Sequence, residues 1–349
     1  MIEIITTVDG LNAEKERWQA NEANPSLRIF QTHLWVKNAW EKILSKDTDN
    51  CLWILRWSKD GRDDVVYFPF YIDGKGTLRF ILDTHNDNND AVYSSNKVNR
   101  HFVFKEVAEA IMKDPRIKSV WLQKMRGESE ALNYLSVFLP GAAVSKDNAF
   151  AYIRVGEAGD FVTSQEQFKS ENRKHWRKLL KQAEAREYRV FRQASGDDFP
   201  KADVIALRDE MIKRGDRAFG FVTDEMIDLV EEMYRRGRCE VPTFYKDDKL
   251  ISLEFRLLKD DYSLDWIYLT TDPRTGTEIN VKYCNDRAKT QAGTIDFGVG
   301  AYEYKILTTR PMVGVTFSLR MGKTMTSHFK MMILAGIRML KDYLKARRR

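Results

Sequence analysis

Between residues 239 and 299 the chain reads CEVPTFYK, KLISLEFRLL and YSLDWIYLTT, three strand-like runs joined by KDDK and KDDY. GTEINVKYCNDRAKTQAG, with helical spacing, and TIDFGV follow. Tight polar turns make successive strands antiparallel, whereas a helix between two strands carries the chain over to a parallel neighbour, almost always right-handedly. One stretch thus prescribes an antiparallel meander closed by a parallel pair. EYRVFRQ precedes it as a further strand, followed by two helices, KADVIALRDEMIKRG and TDEMIDLVEEMYRRG, each closing on a glycine as helix C-termini prefer. VGVTFSL reads as a last strand. The class expected is α/β (α+β), a mixed and mostly antiparallel sheet flanked by helices.

The first half runs through the same kinds of element. MIEIITT, CLWILRWS, DVVYFPFYI, TLRFIL and SVWLQKM read as strands; THLWVKNAWEKIL and HFVFKEVAEAIMK read as helices. Residues 160–186, opened by Thr163 and rich in Lys and Arg, read as one long basic helix joining the halves. The expected division is a lobe over 1–158, a connector over 159–186 and a second lobe over 187–349. A chain of 349 residues suits two domains of about 150 each.

Composition narrows the setting. Hydrophobic residues make up 43% and charged ones 31%, as in soluble globular proteins. Cys51, Cys239 and Cys284 are far apart and odd in number, which argues against a disulfide framework. MIEIITTVDG lacks the basic and apolar regions of a secretory signal, and no apolar run reaches the length of a membrane span. A cytoplasmic setting is expected. The net charge of +6 favours anionic partners. His33, His85, His101, His175 and His328 show no metal-ligand spacing, so no metal is expected. The loop DTHNDNND around His85 reads as solvated. No Ser–His–Asp or Cys–His pattern points to a covalent nucleophile.

The segment TIDFGVGAYEYK, at 294–305, sets Asp296, Gly298, Gly300, Tyr304 and Lys305 close together. DFGVGAYEYK, after a helix ending at Gly293, resembles the D-F-G-x-G-x-x-x-Y-K signature of one GNAT acyltransferase branch, the CelD/BcsL-like proteins of cellulose and exopolysaccharide biosynthesis. Trp35 and Trp40 on an early helix and the basic run Arg173–Lys178 are similar to that branch too. The resemblance is firmest from about 165 to 310. Through the related Fem-type aminoacyltransferases, it implies two tandem GNAT-like lobes and transfer of an acyl group from acetyl-CoA or another acyl-CoA to a sugar- or polysaccharide-linked acceptor.

In the GNAT fold, acyl-CoA lies where two parallel strands splay, here YSLDWIYLTT and TIDFGV, with its pyrophosphate at the N-terminus of the intervening helix. Arg274, Thr275, Gly276 and Thr277 open that helix, with Thr275 and Glu278 at capping-box spacing. The loop has one glycine where the family's has two, and Glu278 adds negative charge. A phosphate cradle and a plain capped helix both fit. Glu254 and Asp265 are the candidate bases on central strands, each alternating with apolar neighbours and so expected to face away from the buried side. Tyr302 and Tyr304 are candidate acids. Gly298 and Gly300 allow positive φ or close approach of a ligand. Asp296 and Lys305 form either a site wall at the sheet's carboxyl edge, Asp296 orienting the acceptor or Lys305, or a structural ion pair beside a turn.

Two other readings stay open: a Fem-type enzyme using charged tRNA, the one case in which nucleic acid is expected as a partner, and a GNAT assembly module without catalysis. The final stretch, SHFKMMILAGIRMLKDYLKARRR, has an apolar face through Phe329, Met332, Ile333, Ile337, Leu340 and Leu344 and a basic remainder. It packs as a closing helix or lies weakly on the anionic inner membrane. On the second alternative the full chain co-sediments with anionic liposomes at low salt, and a chain ending at Lys341 does not; indifference of the full chain to anionic lipid rules that alternative out.

Overall fold

The computed structural model describes residues 1–59, 64–94, 98–156, 159, 161–165, 168–218, 220–300, 303–323, 326 and 333. The chain divides into two compact units, Met1–Asn148 with Val315–Arg349, and Ala149–Gly314.

The first unit holds β1 (Ile2–Ile5), α1 (Val8–Ala13), α2 (Lys15–Asn21), α3 (His33–Lys42), β2 (Cys51–Ser58), β3 (Val65–Ile72), β4 (Thr77–Phe80), β5 (Val92–Tyr93), α4 (Arg100–Lys113), β6 (Ser119–Arg126) and α5 (Glu130–Phe138). β7 (Ala143–Val155) begins in this unit and ends in the second. The second unit continues with α6 (Phe161–Ser164), α7 (Ser170–Glu184), β8 (Glu187–Phe191), α8 (Lys201–Lys213), α9 (Asp224–Arg235), β9 (Cys239–Lys246), β10 (Lys249–Lys259), β11 (Tyr262–Thr270), α10 (Thr275–Thr290), β12 (Gly293–Val299) and α11 (Glu303–Thr309). β13 (Met312–Gly322) begins there and returns to the first unit.

The hydrogen-bonded strand order follows one plan in each unit. The first runs β1-β2-β3-β4-β6-β13, with β5 on β3; the second runs β8-β9-β10-β11-β12-β7. Each is antiparallel apart from one parallel pair, β4 with β6 and β11 with β12. The helices α4 and α10 lie in the crossovers between those pairs. The last strand of each sheet is exchanged in sequence: β13, which follows β12, pairs with β6, while β7, which follows β6, pairs with β12. The units therefore divide within β7 and β13, at 148/149 and 314/315, and not at 158 and 186, because each of these strands begins in one unit and ends in the other.

Local sequence accounts for the second unit's elements. Asp247, Asp248 and Asp260 take positive φ in the two strand turns, a conformation Asp tolerates well. α8 and α9 end in paired bonds, Gly215 N to Ile212 O with Asp216 N to Met211 O, and Gly237 N to Tyr234 O with Arg238 N to Met233 O. That is the Schellman arrangement, which needs glycine in the left-handed region.

The single connector helix expected over 160–186 is instead α6 and α7. The break folds Phe161 back onto Trp176, with ring centroids 4.5 Å apart, and Phe168 packs at 5.7 Å. Trp176 has no exposed surface and shares a core with Val281, Cys284 and Ala288 of α10 and with Phe297 of β12. This burial ties α7 to the second unit.

The loop at 83–90 also departs from expectation. Asp83, Asn86, Asp87, Asn88 and Asn89 are buried. Asn86 accepts from Trp35 Nε1 at 3.1 Å, Asn89 donates to the Gln123 carbonyl at 3.0 Å, and Asp90 accepts from the first two amides of α5. Its polar side chains replace water for backbone groups that no ladder serves. The C-terminal segment 327–349, with the membrane alternative that rests on it, lies outside the described residues but for Ile333. Among the described residues no helix is long and apolar enough to cross a membrane.

Burial raises the Asp83 carboxyl to about 6, against the pull of Arg79. The folded chain then holds this proton more tightly than the unfolded chain, so the contribution favours folding at low pH and is lost as pH rises from about 4 to about 6. The stability difference between wild type and Asp83→Asn, measured by urea unfolding, should shrink by about 3 kcal/mol over that window. A flat or rising difference would contradict the assignment.

Candidate functional site

The parallel pair β11/β12 is in register over three residue pairs only, Tyr262 with Thr294, Ser263 with Ile295 and Leu264 with Asp296. Beyond Leu264 and Asp296 the strands part. Phe255 pairs with Ile267 and Arg256 with Asp265 on the other side of β11, which leaves Trp266 as the extra residue of a bulge. The bulge and the parting fall at the same place, and Asp265 stands there.

Beneath the opening lies a buried polar cluster. Arg256 Nε donates to Glu254 Oε2 at 2.8 Å, and Arg256 Nη2 donates to the same oxygen at 2.5 Å. Asn280 of α10 accepts from Arg256 Nη2 and donates to Glu254 Oε1 at 2.6 Å. Glu254 and Arg256 have no exposed surface, and Asp265 is 5% exposed. The expectation that Glu254 and Asp265 point away from the buried side is therefore wrong. β10 is covered on both faces: Phe255 faces Phe199, and Glu254 and Arg256 face α10. Strand alternation separates two faces but does not say that one is wet.

The Arg256 guanidinium lies 4.4 Å from the Tyr283 ring centroid, and its Nη1 is buried with no hydrogen-bond partner among the described residues. Tyr283 Oη in turn meets Ser263 Oγ at 2.9 Å. Burial pushes Glu254 upward, Arg256 opposes this, and the neighbouring Asp265 adds to it. Two carboxyl groups thus bear on one fixed cation, the arrangement in which one of them readily holds or yields a proton.

The helix that opens at Thr275 is held differently from a capping box. Thr275 Oγ1 donates to the Asp272 carbonyl at 2.6 Å and meets Tyr268 Oη and Thr270 Oγ1, each at 2.9 Å. Glu278 pairs with Arg186, so its charge is neutralised by β8's neighbour rather than presented at the helix start. A Cβ at Gly276 would stand 2.9 Å from the Tyr268 ring; the missing side chain there admits a tyrosine. Arg274 is mostly exposed and pairs with Asp272 at 3.3 Å. Thr277 lines a narrow crevice with Asn280, Phe297 and Lys305.

Asp296 is fully buried, accepting from Tyr262 Oη at 2.5 Å and from the Gly298 amide at 2.8 Å. Lys305 Nζ donates to the Phe297 carbonyl. Gly298 and Gly300 have φ of +69° and +94°, the left-handed turn their type allows. Asp296 and Lys305 thus both brace the turn that ends β12, at the crevice edge. Tyr302 and the Tyr304 side chain lie outside the described residues.

The structure thus gathers Glu254, Asp265, Thr277 and Lys305 on the crossover side of β10–β12, whereas Asp296 points with Tyr262 to the other face, because Ile295 and Phe297 on either side of it pack against α10. The sequence reading missed Arg256, Asn280, Tyr268, Tyr283 and Tyr262. One signal was present: Glu254 and Arg256 stand two residues apart in a strand otherwise apolar.

No family model matches the chain, and no curated protein matches it in sequence. Solved structures do. The C-terminal domain of a candidate lysylphosphatidylglycerol synthetase from Agrobacterium fabrum aligns at a TM-score of 0.60 and 10% identity, over 94% of this chain and 96% of that one. FemX aligns at 0.54 and 12%, over 91% and 96%. A tandem GNAT protein of the clavulanic acid biosynthesis pathway aligns at 0.53 and 9%, over 93% and 99%. The fold is the tandem GNAT-like fold. At these identities the likeness concerns architecture, and residue roles rest on this chain's own geometry.

Cutting Arg256 to Met should leave the Glu254 carboxylate buried and unpaired, at a cost of about 3–5 kcal/mol in urea unfolding. Adding Glu254→Gln should restore much of the loss. Simple addition of the two single losses in the double variant would show that the pair is not coupled.

Proposed function

We propose that the protein is a GNAT-type acyltransferase working where β11 and β12 part. The observation that carries this is the loss of register after Leu264/Asp296 above a charged, buried cluster, with a crossover helix directly behind. The acyl donor is an acyl-CoA, with its pantetheine in the opening and its pyrophosphate at the start of α10 by Arg274 and Thr277. Pairing of Glu278 with Arg186 supports an anion there, since it removes the charge that would repel one. Gly298 and Gly300 form the opposite lip.

An acceptor amine or hydroxyl attacks the thioester carbonyl, its proton passes to a carboxylate, and the C–S bond breaks to release thiolate, which takes a proton from Tyr302 or Tyr304. Asp265 is the base, because it stands at the parting of the strands. Glu254 is enclosed by Arg256 and Asn280 and acts by fixing the guanidinium beside Asp265. Asp296 and Lys305 hold the turn against which the donor lies. The acceptor is sugar- or polysaccharide-linked, as in the CelD/BcsL-like branch, whose D-F-G-x-G motif the chain carries at Asp296–Gly300.

A second donor, aminoacyl-tRNA as in the Fem type, has one observation in its favour. Lys174, Arg177, Lys178 and Lys181 of α7 are exposed and enter none of the described ion pairs, leaving a basic stripe free for phosphates.

The deciding experiment measures free thiol released from acetyl- and longer acyl-CoAs with amino-sugar and polysaccharide acceptors, beside transfer from charged tRNA. Thiol release is expected, and Asp265→Asn should lower kcat about 10²–10⁴-fold with an unchanged melting temperature. Transfer from tRNA alone would select the second donor; neither activity, with no thermal shift by any CoA ester, would leave a non-catalytic module.

A further inference from the structure

At the far end of α10 a second cleft opens in the same unit, about 510 Å³ in volume and sharing no residue with the crevice by Lys305. From Asn280 to Thr290 the helix axis runs about 15 Å, so the two openings face opposite ends of the helix. Tyr188, Arg192, Glu240, Tyr283, Asp286 and Arg287 line the second.

Three features of its lining are incomplete. The Tyr188 hydroxyl is buried and has no hydrogen-bond partner among the described residues. Arg287 donates to Tyr283 Oη at 3.5 Å and to the Asp261 carbonyl at 3.2 Å, but enters none of the described ion pairs. Glu240 is ion-paired with Arg192, accepting from it at 2.9 Å through Oε1, and accepts from Tyr283 Oη at 3.2 Å through Oε2, which among the described residues leaves a lone pair spare on each oxygen. Tyr283 Oη therefore stands between the Glu240 carboxylate, whose ion pair is with Arg192, and the Arg287 guanidinium, which is outside the described ion pairs. Asp286 is engaged by Lys282 at 3.0 Å and leaves this balance unchanged.

A guanidinium outside the described ion pairs and, across one hydroxyl from it, a carboxylate with acceptor sites to spare match a molecule carrying a carboxylate and an ammonium a few ångströms apart. We propose that this cleft binds a free α-amino acid with a polar side chain. Its carboxylate pairs with Arg287, its ammonium with Glu240, and its side chain supplies the partner that the Tyr188 hydroxyl lacks. The volume lies within the ordinary range of small-molecule sites. The site is independent of the acyl-transfer reading: its ligand touches neither Asp265 nor the crevice. Through the Tyr283 ring and the Arg256 guanidinium stacked on it, occupancy can be felt at Glu254.

The test is thermal shift and calorimetric titration of the full chain with the free L-amino acids, each beside its carboxamide and its des-amino acid. At least one polar amino acid should raise the melting temperature at millimolar concentration, and its two analogues should not. Tyr188→Phe and Arg287→Met should each weaken Kd roughly tenfold or more, as the loss of a hydrogen bond or charge partner predicts. Unliganded Tyr188→Phe should melt no lower than wild type, because its hydroxyl is unsatisfied. Absence of any shift, equal shifts by the carboxamides, or undiminished binding by Arg287→Met would overturn the proposal. A lower melting temperature for unliganded Tyr188→Phe would do so as well, since the hydroxyl would then already have a partner in the fold.

Discussion

The clasp of Glu254, Arg256 and Asn280 sets the geometry of the second unit. Two charges carried out of water are costly, and their attraction repays that cost only in good geometry with the remaining hydrogen bonds made. Here the carboxylate takes two bonds from the guanidinium and one from Asn280, and the guanidinium gives a further one back to Asn280. Such a pair contributes less to net stability than to orientation. It fixes one turn of α10 over one pair of residues on β10, which positions the helix along the sheet. Asp265 faces the same guanidinium from the neighbouring strand. Where β11 bulges, where it leaves β12 and where the charged cluster sits are therefore one place.

The wider architecture repeats a six-strand plan and then exchanges the last strand of each sheet. The exchange has an energetic meaning. A sheet that ended at β6 or β12 would expose a row of unpaired amides and carbonyls, an edge that invites pairing with another chain. β13 covers β6 and β7 covers β12, so each unit is completed by residues distant in sequence. Truncation at a boundary drawn along the sequence would uncover an edge in one unit and leave a lone strand attached to the other.

α10 has a different character at each end. Its N-terminal half faces the parted strands with Thr277 and Asn280, while its C-terminal half carries Tyr283 and Arg287 into a polar cleft. Tyr268 and Tyr283, their hydroxyls both pushed up to about 12 by burial, stay protonated across the physiological range and serve as fixed donors in the polar layer under the helix. A buried layer so rich in polar groups is costly to build, and groups within it that lack partners among the described residues, Arg256 Nη1 and the Tyr188 hydroxyl, are where a bound molecule would find bonds unmade.

The amino-acid sequence determined the order and type of most elements, because periodicity and turn chemistry are local. KDDK and KDDY made the hairpins, the glycines at 215 and 237 stopped the helices, and a helix between two strands left only a parallel crossover. The same locality made Gly298 and Gly300 legible as a left-handed turn and Asp265 legible as a central-strand carboxylate. Only the tertiary structure decided what those residues meet. Which face of β10 is wet depends on what packs against it, and α10 lies more than twenty residues further on. Gly276 read as space for a phosphate, yet its space is filled by Tyr268, a residue of the preceding strand. Glu278 read as a charge opposing an anion, and Arg186, ninety residues upstream in the chain, cancels it. The connector breaks between α6 and α7, where Phe161 and Phe168 pack on Trp176. The exchange of β7 and β13 has no local signature at all, since the pairing of a strand is chosen by the edges left open when the rest of the sheet has formed.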